Sequence, residues 1–400
     1  MRIAYVTIAD PADIRAWSGL NHCILRALSG QPGVEVIPVG PLKTLRVMLS
    51  KLKTLRARLL PSRGRYLWTR DPGLLRTYAR KVNRILRDVP CDLIFSPGTE
   101  PIAYLETEIP MVCWTDAPFA AMLDYYPWYS NLSSASRREG MEGDTRALRR
   151  CDMAIFSSHW AADASVSGHR TDPAKIQVLT FGPNLEIHFT EDELEDLLPL
   201  RRRPPWRFLL VGVEWQRKGA DIVLEVVAEL NRRGYPSEMI VAGCRPPASM
   251  GALPPYLKLE GFLDKRSELD RRKLRDLYKS ALFYFMPSRA EAFGVVFCEA
   301  NALGVPCLAG ETGGVPTLVE NGINGQRFAL GTSTDGYTDF IISLMKQSSR
   351  YDEMARRSLR VSRQRLNWEA SGASLHSLLQ SLLAARHSVI EPLRTFTKNP

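Results

Sequence analysis

Short apolar runs alternate with helical periodicities along most of the chain. In the first half, strand-forming runs stand at Arg2 to Ile8, Val34 to Val39, Leu93 to Ser96, Met111 to Trp114, Met153 to Ser157 and Ile176 to Leu179, with helical stretches between most of them. That alternation predicts a parallel sheet covered by helices on both faces. An acidic run, Glu191 to Asp196, is followed by Arg201-Arg-Arg-Pro-Pro205, whose prolines break a helix and which reads as an inter-domain linker. The alternation then restarts. Strands are expected at Trp206 to Gly212, Glu238 to Ala242, Leu257 to Gly261, Ala281 to Met286 and Pro306 to Ala309, and helices at Ala220 to Arg233, Leu269 to Ser280 and Gly294 to Leu303. A last helical pattern, Trp368 to Arg386, is too long for a simple tail and is expected to pack back on the first domain.

The expectation is an α/β protein of two Rossmann-like, doubly wound domains facing a central cleft. Residues 1–188, with the C-terminal helix about 368–395, form the first, and residues 204–367 the second. A length of 400 residues supports two cores rather than one. Ligands of such sheets bind at the carboxyl ends of the strands. No strand is followed by Gly-x-Gly-x-x-Gly, which demotes a dinucleotide-dependent oxidoreductase.

Composition changes this picture little: 45% hydrophobic and 24% charged residues are ordinary for a folded globular chain. The first eight residues read as a buried strand rather than a signal peptide, and no apolar run approaches the roughly 20 residues needed to span a bilayer. A cytoplasmic location follows as an expectation. The seven cysteines are scattered without a Cys-x-x-Cys pair and read as reduced, buried hydrophobes. No His, Cys and acidic cluster has metal-ligand spacing, so no metal cofactor is expected.

The densest chemical signal is Pro287-Ser-Arg-Ala-Glu-Ala-Phe-Gly-Val-Val-Phe-Cys-Glu299. A strand ends near Met286, a turn holding Glu291 and Gly294 follows, and a helix begins whose first amides lack intrahelical acceptors. Those amides and the positive end of the helix dipole suit a phosphate. Glu291 precedes the turn, where a carboxylate can accept hydrogen bonds from sugar hydroxyls, and Glu299 lies about two turns further on. The plain reading of an isolated pair is a cap and a solvated helical residue.

The stretch resembles the donor site of the retaining glycosyltransferases of family 4, glycosyl transferases group 1 of the GT-B architecture, where two glutamates eight apart flank a Phe-Gly turn. The likeness extends to Val211-Gly-Val-Glu-Trp-Gln-Arg-Lys-Gly219, Leu259-Glu-Gly-Phe-Leu-Asp-Lys265 and Gly313-Gly-Val-Pro-Thr-Leu-Val-Glu-Asn-Gly-Ile-Asn-Gly325. It is less sharp in Trp17-Ser-Gly19, Trp114-Thr-Asp-Ala-Pro-Phe119, Ser157-Ser-His-Trp160 and Phe181-Gly-Pro-Asn184.

The resemblance implies a nucleotide-sugar donor, most readily a UDP- or GDP-sugar, and transfer to an acceptor hydroxyl with retention and without a cofactor. It makes Glu291 the partner of the donor sugar, Glu299 the partner of the ribose, and the amides of Phe293, Gly294, Val295 and Val296 the diphosphate cradle. Lys218, with Arg217, would neutralise the departing diphosphate, and a fixed cation there is worth more than in water. The chain departs from the family in having Val213 and Glu214 directly after the strand's glycine, where many members have arginine, which leaves the second phosphate-binding cation open. Gly19 would let the first loop approach the diphosphate or acceptor, or is simply a turn. Asp116 would sit near the transferred sugar, with an Asx-type cap before Pro118 as its structural alternative. Base reading falls to the backbone around Gly261 and Leu263. His22 and His159 read as structural.

Other classes stay open: a phosphorylase or a sugar-nucleotide epimerase of similar build, and a basic nucleic-acid-binding protein. The glutamate pair counts against the epimerase, and the basic segment has only Tyr66, Trp68 and Tyr78 interleaved and no recognised module, so no nucleic-acid partner is expected. The net charge of +10 is concentrated between Pro41 and Pro90, where fourteen Lys and Arg face only Asp71 and Asp88. Within residues 43–60, Leu45, Met48, Leu49, Leu52, Leu55 and Leu59 recur at helical spacing among Lys43, Arg46, Lys51, Lys53, Arg56 and Arg58. Two readings follow. The leucines pack on the first domain and the charges are solvated, or the helix lies on an anionic membrane surface as a peripheral contact.

Overall fold

A computed structural model describes residues 1–14, 16–58 and 64–396, with the side chains of residues 56–58 and 387–396 outside that description. The chain divides into two compact units, Met1–Thr180 with Ser371–Pro400, and Phe181–Ala370.

The first unit is built on six parallel strands: β1 (Arg2–Val6), β2 (Glu35–Val39), β3 (Leu93–Ser96), β4 (Met111–Thr115), β5 (Met153–Phe156) and β6 (Ile176–Val178), in the order β2-β1-β3-β4-β5-β6. The inner strands β3, β4 and β5 are buried at every residue, as strands covered by helices on both faces must be. At one edge, β2 carries Pro38 opposite Tyr5 of β1; a residue without an N–H is tolerated there because the outer side of the strand has no neighbour to bond. The long helix Trp368–Phe396 contributes Leu375 and Leu379, both fully buried, to this unit. Ser371 Oγ donates to the Thr180 carbonyl at 2.8 Å, Gly372 lies against Ala27 where a Cβ would stand 3.0 Å from its carbonyl oxygen, and Arg386 donates to Glu108 O at 2.9 Å. The expected return of the C-terminal helix to the first domain is therefore found.

The second unit has its own parallel sheet: β7 (Trp206–Gly212), β8 (Ser237–Gly243), β9 (Leu257–Gly261), β10 (Phe283–Met286), β11 (Cys307–Gly310) and β12 (Gly325–Phe328), ordered β12-β11-β10-β7-β8-β9. From β7 the chain winds one way and from β10 the other. The winding reverses between these two neighbours, and at such a reversal the loops beyond the carboxyl ends diverge and leave a crevice. In the first unit the reversal lies between β1 and β3.

Two sequence expectations are corrected here. The acidic run does not lead into a linker. Thr190 and Glu193 form a reciprocal capping box that starts the helix Glu191–Arg201, which tolerates Pro199 in its interior, and the helix belongs to the second unit. Segment 181–203 therefore goes with residues 204–370. Arg201, read as part of that linker, is 3% exposed and donates to the carbonyls of Lys279 (2.8 Å), Leu303 (2.8 Å) and Gly304 (2.7 Å). These carbonyls end the helices Glu268–Ser280 and Val295–Ala302, where a cation meets the negative end of each dipole. Arg201→Met is expected to cost about 3 kcal/mol of stability by stranding buried carbonyls; a urea midpoint equal to wild type would show that water replaces the guanidinium.

Candidate functional site

The site in the second unit grows from the reversal between β7 and β10. After β7, Gly219 adopts φ 72° and opens the helix Ala220–Arg232; a Cβ there would stand 2.3 Å from the Pro287 carbonyl oxygen. Glycine is thus required on two grounds, and its absence of a side chain lets the loops after β7 and β10 touch. The Arg289 amide donates to the Arg217 carbonyl at 2.8 Å, tying the loops a second time.

This contact brings residues far apart in sequence together. Lys218 Nζ donates to Glu291 Oε2, with the two residues 8% and 7% exposed. Arg217 NH1 stands 3.6 Å from the same oxygen and donates to the Ala290 carbonyl at 2.9 Å. Glu214 holds the remaining side of Arg217, accepting at 3.0 Å and 2.8 Å, and the guanidinium in turn holds the Glu214 carboxyl below its usual range. Two cations therefore converge on one buried carboxylate. The Glu291 carbonyl accepts from the Gly314 amide at 3.1 Å, which fixes the loop from the side of the glycine pair expected to matter.

Gly294, at φ 92°, caps the helix Val295–Ala302. A Cβ at this position would press on the Phe297 ring at 2.7 Å, so again only glycine fits. Val295 and Val296 are partly exposed, which leaves the helix start open to a ligand, and amides of a first turn have no intrahelical acceptor. Phe293 itself is 4% exposed and packs edge-on against Phe181 with centroids 5.1 Å apart, so its side chain fixes the turn rather than lining a sugar pocket.

Glu299 is fully buried. It accepts from Tyr278 OH at 3.1 Å and from Lys265 Nζ. It is neither a solvated helical residue nor an open acceptor. Burial and the adjacent Glu299 charge push the Tyr278 phenol well above its ordinary pKa, so it remains a donor. Lys265 extends from the loop after β9, and its contact with Glu299 draws the Gly261 to Leu263 segment toward the same helix. Gly261 has φ 73° with open space around it, a conformational requirement rather than a close approach. Phe262 beside it is 69% exposed. The sequence motifs include Lys265 and Glu214 without a role for either, and Tyr278 lies outside them; Glu214 is set by its own turn three residues before Arg217, whereas the fold brings Lys265 and Tyr278 to Glu299.

In the first unit, Trp17 and Ser18 both lie in the left-handed region (φ 49° and 56°), followed by Gly19 at φ 89° capping the helix Leu20–Ser29. Two successive non-glycine residues in that conformation store strain beyond the carboxyl end of β1. Trp17 Nε1 donates to Asp116 Oδ2 at 3.2 Å, joining that loop to the end of β4. Desolvation raises the Asp116 carboxyl to about 6, against the opposing pull of the indole and of nearby amides. Arg70, 6% exposed, pairs with Glu100 at 2.9 Å and with Asp144, whose second oxygen accepts from the Phe119 amide at 2.6 Å. The loops after β3 and β4 thus share one buried cation. His22 is pulled below its ordinary pKa, by burial first and then by Arg26. Among the described residues no three His, Cys, Asp or Glu are grouped to hold a metal ion.

Residues 200–360 match the family model described as glycosyl transferases group 1. The D-inositol 3-phosphate glycosyltransferase of Mycobacterium marinum is 29% identical over 218 residues, covering 52% of this chain and 45% of that protein. The enzyme of the same name from Gordonia bronchialis is 27% identical over 243 residues, covering 57% and 52% respectively. The chain spans about half the length of these relatives. Among solved structures, Anabaena HepE in complex with UDP and glucose has a TM-score of 0.63 at 15% identity, covering 95% of this chain and 100% of its own. Sucrose-phosphate synthase of Thermosynechococcus elongatus has a TM-score of 0.67 at 15% identity, covering 96% and 99%. These two share the fold, a pair of Rossmann-like units of the GT-B class. The match to the glycosyl transferases group 1 thus covers residues 200–360, within the second unit, and the relatives named above are similar to this chain over about half its length.

Proposed function

We propose that this chain transfers a sugar from a nucleoside-diphosphate sugar to an acceptor hydroxyl, with retention at the anomeric carbon as in family 4. The observation that carries the reading is the convergence of Lys218, Arg217 and Glu291 beside a glycine-opened helix start, at the point where the second sheet reverses its winding. A diphosphate needs cations and unpaired amides, and a sugar needs a fixed hydroxyl acceptor; these groups are adjacent here. That Anabaena HepE is solved with UDP and glucose supports a UDP-sugar as the first donor to test.

In the proposed sequence, the diphosphate seats on the amides of Gly294 to Val296 and draws Lys218 from Glu291. The freed carboxylate then accepts from the sugar's hydroxyls. As the glycosidic bond to the diphosphate breaks, Lys218 and Arg217 meet the negative charge that grows on the leaving oxygen, where a preorganised cation lowers the barrier most. The leaving oxygen takes the acceptor's proton on the same face, which is how retention arises without an enzymic nucleophile. The part-exposed Lys265, held by buried Glu299, meets the ribose, and the exposed Phe262 ring offers a face for the base. Asp116 serves the acceptor half of the reaction in the first unit.

Calorimetry with UDP, GDP and their sugars, followed by NMR of the product's anomeric proton, tests the reading. Failure of every nucleotide to bind, or an inverted product, overturns it. Asp116 adds a pH test. Its folded pKa, about 6, lies above the ordinary carboxyl value, so the folded protein holds this proton more tightly than the unfolded chain. The carboxyl's contribution to folding is therefore full below 3.8, its ordinary value, and is lost as pH rises from there through about 6. If the carboxylate is the working form, the transfer rate falls as pH drops through the same range, and Asp116→Asn removes this limb while lowering the plateau. An unchanged profile in the variant would leave Asp116 as a turn cap.

A further inference from the structure

The helix Arg46–Arg58 seats on the first unit by its small and β-branched side, not by its leucines. Ser50 is 1% exposed, Val47 packs against the unit's hydrophobic core, and Thr54 Oγ1 donates to the Tyr66 carbonyl at 3.3 Å. Leu45, immediately before the helix, is 83% exposed, and Met48, Leu49, Leu52 and Leu55 are 66%, 52%, 50% and 56% exposed. With 3.6 residues per turn, these five span an arc of about 120°, opposite Val47, Ser50 and Thr54. The reading in which the leucines pack on the first domain is therefore corrected. Of the segment 43–60, residues 59 and 60 lie outside the described residues.

We propose that this face docks on an anionic lipid bilayer. A row of exposed aliphatic side chains needs an apolar partner, and the charges beside it decide which. Exposed Lys43 precedes the helix and exposed Lys51 flanks one side of the arc on the helical wheel, while on the other side Lys53 pairs with Asp71 and Arg46 lies against Gly73. The adjacent helix Pro72–Asp88 adds exposed Arg76, Arg80, Arg84 and Arg87. Of the two acids in the basic segment, Asp71 is fully buried and paired with Lys53, so it offsets that one cation and leaves Lys43, Lys51 and the arginines of the adjacent helix uncompensated by it. A second copy of this face would bring like charges together, and a nucleic acid has no use for a leucine stripe without stacking rings. Leucines among acyl chains with cations at the phosphate level satisfy both features at once. A further amphipathic anchor lies near. Arg65, next to Tyr66, donates to the carbonyls of Pro127 (3.1 Å) and Trp128, and Trp128 is 65% exposed. Among the described residues no helix is long and apolar enough to cross a membrane, so the contact proposed is peripheral.

Vesicle sedimentation of the full chain decides the matter, using phosphatidylglycerol with phosphatidylcholine in one arm and phosphatidylcholine alone in the other. Binding is expected in the first arm only, with reversal by salt. Leu49→Ser with Leu52→Ser should weaken it by at least about tenfold, and Lys43→Gln with Lys51→Gln by roughly fivefold per charge removed. Lys53 is left in place because it partners buried Asp71. Circular dichroism checks that each variant is folded. Equal binding in the two arms, or none in either, overturns the proposal. So does anionic binding indifferent to the leucine substitutions, which would be a diffuse charge effect, or a nucleic-acid shift at physiological salt in place of vesicle binding. Leucine-dependent dimerisation without vesicle binding would instead assign the face to a second copy. The readout is binding, so failure here leaves the reading of glycosyl transfer untouched.

Discussion

Replacing Glu291 with Gln is expected to lower glycosyl transfer by about 10²- to 10³-fold, the loss typical of removing one preorganised polar group from a transition-state site. The amide keeps the volume of the carboxylate in a position only 7% exposed, and the backbone bond from Gly314 to the Glu291 carbonyl does not involve the side chain. The fold should therefore survive. What is lost is the charge that Lys218 and Arg217 share, and with it the acceptor proposed for a sugar hydroxyl. Initial rates and a thermal melt on the same preparation check this. Turnover within a few fold of wild type would remove Glu291 from the chemistry; a collapse of the melt would make it a structural anchor.

Lys218→Ala should move two quantities at once. Affinity for a nucleoside diphosphate is expected to fall by ten- to a hundredfold, since a hydrogen bond to a charged group contributes about 1.5–3 kcal/mol. Stability should fall as well. Removing one partner of a buried ion pair can cost about 3–5 kcal/mol, and the loss here should be at the low end because Arg217 remains near the same carboxylate oxygen. The lysine stem also runs along the end of β7, where a Cβ on Gly212 would stand 3.1 Å from its Cγ, so alanine leaves a gap. Lys218→Met fills that gap and isolates the charge. Should calorimetry find diphosphate affinity unchanged in both variants, Lys218 serves Glu291 alone and the phosphate cation lies elsewhere.

The sheets were legible because most of their strands are continuous apolar runs bounded by glycine, proline or polar turns; Leu93–Ser96, Trp206–Gly212 and Leu257–Gly261 end where their patterns end. The strand Gly325–Phe328 was not, since Gly-Gln-Arg-Phe at a sheet edge carries no apolar run and takes its conformation from Cys307–Gly310 beside it. Lys218 and Glu291 could be named from motifs, but that they touch follows from sheet order, a non-local property. Tyr278 and Lys265 illustrate the same limit: each looks like an ordinary residue of an amphipathic helix or a loop until Glu299 is placed between them. Periodicity located the leucine stripe correctly yet could not say which side of the helix meets the protein. Small residues such as Ser50 and Thr54 can seat a helix as closely as large ones, and hydrophobicity patterns give them little weight.

The contact at Gly219 carries a lesson for engineering. Because a methyl group there would meet the Pro287 carbonyl at 2.3 Å, and because Arg289 and Arg217 are joined through their backbones, the segments following β7 and β10 form one interlocked cassette. Chimeras meant to change donor preference should exchange both segments together from a single parent. Exchanging one alone would import a loop shaped for a different neighbour, and the first casualty would be the spacing between Lys218 and Glu291 rather than either residue.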